Sequence, residues 1–177
     1  MFKEDEHPRD SDGKFSEKDS GKSSAYNSRD DLNILKGAKK KKMTPAEKIA
    51  SVHIDFTKDN VLPELNNEDL TKVGSKINKP VLLKKNVIDR NAAEHSDLTD
   101  EDFQSIIANA LYSPSEIFSA NKDKPYYHFA KVIEVNSKGK PEIGLALLDV
   151  DENKDNFEIV HAHFARSRSF NAIKNKK

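Results

Sequence analysis

Residues 126–165 read YYHFAKVIEVNSKGKPEIGLALLDVDENKDNFEIVHAHFA, and this stretch decides the fold class. Three apolar runs, Tyr126 to Val135, Ile143 to Val150 and Phe157 to Ala165, are separated by the turn-forming segments Asn136 to Pro141 and Asp151 to Asn156. Runs of this kind bounded by Gly, Pro, Asn and Asp predict strands. Their short connections predict antiparallel neighbours, because a parallel pair needs a crossover of about a dozen residues or more.

The last strand carries a second signal. Side chains alternate along a strand, so Phe157, Ile159, His161 and His163 are expected on one face and Val160, Ala162 and Phe164 on the other. The second set reads as the better core face, which leaves the two histidines toward an open face or sheet edge. Imidazole, with an unperturbed pKa of about 6.5, can give or take a proton near neutrality. Arg166 and Arg168 follow directly. Proton carriers beside fixed cations suit phosphodiester chemistry, while an exposed strand histidine is the plain alternative for each of the pair.

Upstream, Thr99 with Asp102 three residues on marks a helix start, and Phe103, Ile106, Ile107, Ala110 and Leu111 follow at helical spacing. Ser113-Pro114 should end that helix, which would bury its apolar face on one side of the meander. Before it, Val81 to Leu83 leads into Val87, Ile88 and Ala92 on one helical face, with Arg90 and Glu94 as an i,i+4 pair. His95 falls between these two helices, where it can project into a cleft over the sheet or stand exposed. Thr44-Pro45-Ala46-Glu47 reads as a capped helix start, Val52 to Phe56 as a short half-buried strand, and residues 62–77 as a helix or ordered connector.

Composition sets the outer limits. With 34% charged residues and an apolar fraction of 35%, the 177 residues do not suit one evenly packed domain. Residues 1–42, rich in Lys, Asp, Glu, Ser and Gly, read as a disordered charged linker that cannot repay the entropy of ordering. Residues 43–79 read as a helical and extended region, residues 80–172 as the main α+β domain and residues 173–177 as a basic tail. Thirty basic and thirty acidic residues balance, so the net charge gives no strong nonspecific attraction to nucleic acid. The absence of cysteine excludes disulfides, thiolate catalysis and cysteine-bound metals. No apolar run reaches the ~18 residues needed to span a bilayer, and no membrane partner is expected.

His161-Ala162-His163 is a usual ligand spacing on a strand, and His95 or His128 would be the third ligand, yet no zinc signature accompanies the pair. The expectation is therefore chemistry with no metal and no cofactor. Asp149-x-Asp151-x-Asn153-x-Asp155 resembles the opening of a calcium loop, but Lys154 stands where glycine is required and Val160 where the closing glutamate belongs. A polar hairpin loop is the better reading.

The helix, Ser-Pro turn, three-strand meander and basic Ser/Arg ending together resemble the phage-associated nucleases of the barnase–EndoU–colicin–RelE-like superfamily, over about residues 80–170. His95 matches the histidine before the principal helix, Leu111-x-x-Pro114-x-x-Ile117 the helix exit, and Arg166-Ser167-Arg168-Ser169-Phe170 the hydroxyl-plus-aromatic motif after the last strand. The run His7-Pro8-Arg9-Asp10 through Gly13-Lys14-Phe15 is similar to a linker seen in phage structural proteins. The doubled Arg-Ser and the additional His161-x-His163 pair depart from the family pattern. The resemblance implies helices packed on a small antiparallel sheet and a metal-independent endoribonuclease toxin of phage or mobile-element origin. In it the RNA 2′-hydroxyl attacks the adjacent phosphodiester, leaving a cyclic phosphate. His95, His161, His163, Arg166, Arg168 and Ser169 are then the catalytic candidates, and Tyr126, His128, Lys131 and Lys174 the RNA contacts. Implied partners are RNA, a cognate immunity protein and phage virion proteins, and the implied setting is the bacterial host cytoplasm, with virion association before delivery. A noncatalytic phage module that binds nucleic acid or protein on the same fold is the competing expectation.

Overall fold

The computed structural model describes residues 42–133, 139 and 142–175. The segment expected to be disordered lies outside the described residues apart from Lys42, as does the turn between the first two strands of the meander apart from Gly139. The described chain is α+β, with five helices and a six-stranded sheet.

Helix α1 (Pro45–Ser51) begins as its sequence dictates: Thr44 Oγ1 accepts from the Glu47 amide at 3.3 Å and Glu47 Oε2 accepts from the Thr44 amide at 2.7 Å. Val52 and Ile54 are buried, but the segment is not the expected strand. The Ile54 amide donates to Gln104 Oε1 at 2.9 Å, so a side chain stands in for a strand partner. Strand β1 (Asn60–Leu62) and helix α2 (Asn67–Lys72) follow. Helix α2 stops at Gly74, whose φ of 71° lets the amides of Gly74 and Ser75 reach back to the carbonyls of Thr71 and Leu70.

Strand β2 (Val81–Leu83) leads into α3 (Lys85–Glu94), and α4 (Asp100–Tyr112) starts at Thr99, whose hydroxyl accepts from the Asp102 amide at 3.1 Å. Strands β3 (Glu116–Ser119), β4 (Tyr126–Ile133), β5 (Glu142–Asp149) and β6 (Phe157–Ala165) form the meander, and α5 (Ser167–Lys174) closes the described chain. The sheet order is β1-β2-β6-β5-β4-β3. The antiparallel meander is as the sequence predicts. Beside it β2 pairs parallel to the start of β6, with Val81 opposite Phe157, and β1 pairs antiparallel to β2.

Helix α4 lays Phe103, Ile106, Ile107, Ala110 and Leu111 on one sheet face. Under that helix the sheet has no room for a side chain at Gly144, where a Cβ would sit 2.8 Å from Ile133 Cδ1 of the neighbouring strand and in ordinary contact, at 3.5 Å, with Ile106 Cγ1 of α4. Val52, Ile54, Leu62, Leu65, Leu70 and Val73 belong to the same core, so residues 43–79 pack as part of the body that holds the meander. The buried Lys48 helps to join them: its ammonium donates to the carbonyls of Glu64 and Leu65 at 2.6 and 3.0 Å. Tyr112 donates its hydroxyl to the Pro63 carbonyl at 2.7 Å. On the opposite face α5 closes a smaller cluster of Ala130, Leu145, Ala165 and Phe170, with Phe118 and Ile143 at its margin.

A β-bulge corrects the expected alternation of β6. Leu147 lies opposite His161 but Leu148 lies opposite Ile159, so Val160 is the extra residue. Phe157 and Ile159 therefore share the α4 face with Ala162, and Phe164 packs against the same core. His161 and His163 occupy the other face. Because β2 pairs only with the start of β6, the rest of that strand would be an unpaired edge. Helix α3 covers it: Arg90 donates to the Val160 carbonyl and Asn91 Oδ1 accepts from the Ala162 amide at 3.1 Å. Asn91 is 2% exposed, so its loss strands a buried N–H. Asn91→Ala is expected to cost about 1–3 kcal/mol, read as a lower urea midpoint with an unchanged slope; a midpoint equal to wild type would mean that α3 does not depend on this bond.

Candidate functional site

Helix α3 ends at His95, whose amide bonds the Asn91 carbonyl at 2.9 Å and whose φ of −128° and ψ of 64° turn the chain out of the helix. Asn91 precedes His95 by one helical turn, so the bond that holds α3 on β6 also sets where His95 stands. The bulge places His161 and His163 on the face that His95 reaches. The Nε2 atoms of His95 and His161 are 3.0 Å apart, within hydrogen-bond distance. The ring of His95 stacks on that of His163 with centroids 5.2 Å apart and planes 5° from parallel, and the centroids of His161 and His163 are 4.9 Å apart. Glu94 Oε2 lies 3.7 Å from His161 Nδ1.

All three imidazoles are partly buried. Burial, with a smaller contribution from the neighbouring imidazoles, pushes His163 down to about 4. Burial also lowers His161, reinforced by His95 and Arg90 and opposed by Glu94. Both are therefore neutral at pH 7 and keep a lone pair for a proton or another electrophile. His163 Nδ1 is buried with no hydrogen-bond partner among the described residues. Beside the cluster is a cavity of about 110 Å³ lined by His95, Leu98, His163, Phe164, Arg166 and the carboxylate residues Asp97, Asp102 and Glu142. It is small beside the roughly 300–1,000 Å³ of ordinary small-molecule pockets.

Of the residues singled out from the sequence, His95, His161, His163 and Arg166 are thus assembled at one place. Arg168 and Ser169 are exposed on the first turn of α5 and are absent from the cavity wall, because Phe170 turns inward to fill the smaller cluster and fixes the helix phase. His128 shares the sheet face of His161 with Leu147 between them. Its ring lies 5.1 Å from that of Phe118, and burial followed by His161 lowers its pKa. Tyr126 opens β4 with the Lys124 ammonium 5.7 Å from its ring centroid. Lys131 is on the opposite face, donating to Ser113 Oγ at 3.2 Å, and Lys174 pairs with Glu116 Oε2 at 2.5 Å. Sequence reasoning treated Glu94 as half of a helical ion pair and did not single out Asn91. Their positions one and four residues before His95 were the available signal.

Fold and site together define a small α+β domain with a half-buried histidine cluster at a covered sheet edge. Over residues 37–177 the chain matches the large polyvalent protein-associated domain 13 family, and it belongs to that family, a phage-associated class of domain. No curated protein and no solved structure matches it. Among the described residues no helix is long and apolar enough to cross a membrane.

The acidic hairpin loop is built around its own cation. Lys154 Nζ lies 2.8 Å from Asp149 Oδ2 and 2.9 Å from Glu158 Oε2. Glu158 also meets Lys84 Nζ at 2.7 Å. Lys84 and then Lys154 hold its carboxyl below the ordinary 4.5. A depressed carboxylate stabilises the fold above its unfolded pKa, and that contribution is lost as pH falls through the folded value. The stability gap between wild type and Glu158→Gln should therefore be present at pH 7 and close below about pH 4.5, as measured by urea unfolding; a gap that does not change with pH would refute this assignment.

Proposed function

We propose that this domain is an endoribonuclease of phage or mobile-element origin that cleaves RNA through its own 2′-hydroxyl. The observation that carries the reading is the contact at 3.0 Å between the Nε2 atoms of His95 and His161, beside a cavity whose wall includes Arg166. One imidazole takes the 2′-hydroxyl proton and the other protonates the departing 5′-oxygen, each step worth roughly 10²–10⁴-fold. The attacking oxygen forms the cyclic phosphate as the P–O5′ bond breaks, so atoms and protons balance without a co-reactant. An incoming phosphodiester anion raises the pKa of whichever imidazole it approaches, which supplies the acid from a cluster whose His161 and His163 are neutral when empty.

Arg166 meets the phosphoryl oxygens, and the cavity is too small for a nucleoside, so the bases stay outside it. The backbone therefore runs along the rim, where Arg166 and Arg168 are exposed at the junction of β6 and α5. Tyr126, His128 and Lys174 lie further along β4 and α5 as outer contacts. An enzyme of this kind acts in the bacterial host cytoplasm after carriage with virion proteins, and its producer needs a cognate immunity protein.

The test is purified chain incubated with total bacterial RNA in EDTA, with the product ends identified. Cleavage to cyclic phosphate that falls about a hundredfold or more in His95→Ala and His161→Ala is the expected result. Intact RNA from folded protein would refute the enzyme and favour the noncatalytic module, in which binding follows Arg166 and Arg168 and tolerates loss of the histidines.

A further inference from the structure

We propose that His95, His161 and His163 also form a three-imidazole site for one zinc-class divalent ion. Each offers a ring nitrogen, and the three lie within 4.8 Å of one another. Tetrahedral ligands at the usual Zn–N distance of about 2.0–2.1 Å sit about 3.3 Å apart. The His95–His161 pair, at 3.0 Å, is already near that spacing. The third nitrogen, within 4.8 Å of the other two, has to come in by rotation of its side chain.

The directions of His95 and His161 agree with this assignment, while the His163 ring, stacked on His95 with planes 5° from parallel, has to turn before its nitrogen can share an ion with them. The Nε2 atoms of His95 and His161 approach each other, while Nδ1 of His161 is turned toward Glu94 at 3.7 Å. A carboxylate behind a ligating histidine is the usual outer partner, orienting the ring and raising its basicity. The buried Nδ1 of His163 is left without a hydrogen-bond partner among the described residues. Three protein ligands leave a fourth position open. Imidazole donors without cysteine suit zinc, cobalt, nickel or copper in preference to magnesium or calcium.

One consequence rests on the ribonuclease reading above: a ligated Nε2 can neither take nor give a proton, so an occupied site suppresses cleavage. The same three residues then work as a catalyst when empty and as a stopped enzyme when loaded.

The experiment uses the full chain without a polyhistidine tag, stripped with chelator and titrated with Co(II) as the probe. Intense visible bands saturating at one ion per chain, bleached by Zn(II), are expected. His161→Gln and His163→Ala should abolish them, with folding checked by circular dichroism, while His53→Ala, at an exposed position away from the cluster, leaves them intact. Glu94→Gln should weaken binding about 10–100-fold. Absence of the bands from folded wild type, or their survival in His163→Ala, would overturn the site. Cleavage is followed in parallel: activity in EDTA that stoichiometric Zn(II) suppresses supports the consequence, and cleavage that requires the ion overturns it. Cobalt bands with no cleavage in either state leave the metal site standing and sink the ribonuclease.

Discussion

The extra residue in β6 is the constraint on which the remainder of the domain depends. A strand of strict alternation could not put Phe157 and Ile159 in the core and also keep Ala162 there, because the last is three positions from Ile159. Inserting Val160 as a bulge resolves the conflict: the aromatic and aliphatic residues of both halves face α4, and His161 and His163 turn to the other side. Without it, either the histidines would enter the apolar core or two large apolar side chains would leave it. Burying a polar group without a partner costs several kcal/mol in the worst case, so register here is strongly enforced.

The brevity of β2 creates a need that shapes the next layer. Strand β2 is too short to accompany β6 past its first residues, so the carbonyl of Val160 and the amide of Ala162 would otherwise face outward. Arg90 and Asn91 meet them from α3. Side chains on one helix thus complete a sheet edge, and the helix is fixed along the strand within a turn of its end. His95, at that end, inherits the precision. Positioning of the cluster is therefore a by-product of edge protection, and both are encoded within a handful of residues on α3 and β6.

Elements that pay their way locally were legible in the sequence. The capping box at Thr44, the helix from Asp100 and the antiparallel meander each rest on neighbours a few residues away, and each is found where the pattern put it. Elements that exist through distant pairing were not. Strands β1 and β2 are three residues each and draw their pairing from one another and from Phe157 and Glu158. The bulge has no local mark either, since Val160 is an ordinary strand residue and only the register against Leu147 and Leu148 reveals it. For the site, His95, His161, His163 and Arg166 stood out by chemistry. That Arg168 and Ser169 are absent from the cavity wall depends on the burial of Phe170, a tertiary fact.

The cluster is costly for a domain of this size, which argues for its function. The same sheet face carries Ala130, Leu145 and Ala165 a short distance away, where α5 covers them, so apolar residues are readily accommodated there. Instead three partly buried imidazoles crowd together, two with lowered proton affinity and one with a ring nitrogen that has no partner among the described residues. An unsatisfied buried polar atom costs about 1–3 kcal/mol, a sizeable part of the roughly 5–15 kcal/mol that holds a domain folded. A chain under selection for stability alone would replace His163 with an aliphatic residue and lose nothing of the α4 core. Proton affinity lowered chiefly by burial is restored by a neighbouring negative charge, and a ring nitrogen with no partner among the described residues is satisfied by a group that accepts its lone pair. The features that make the cluster unfavourable when empty are therefore the ones that make it receptive to a ligand.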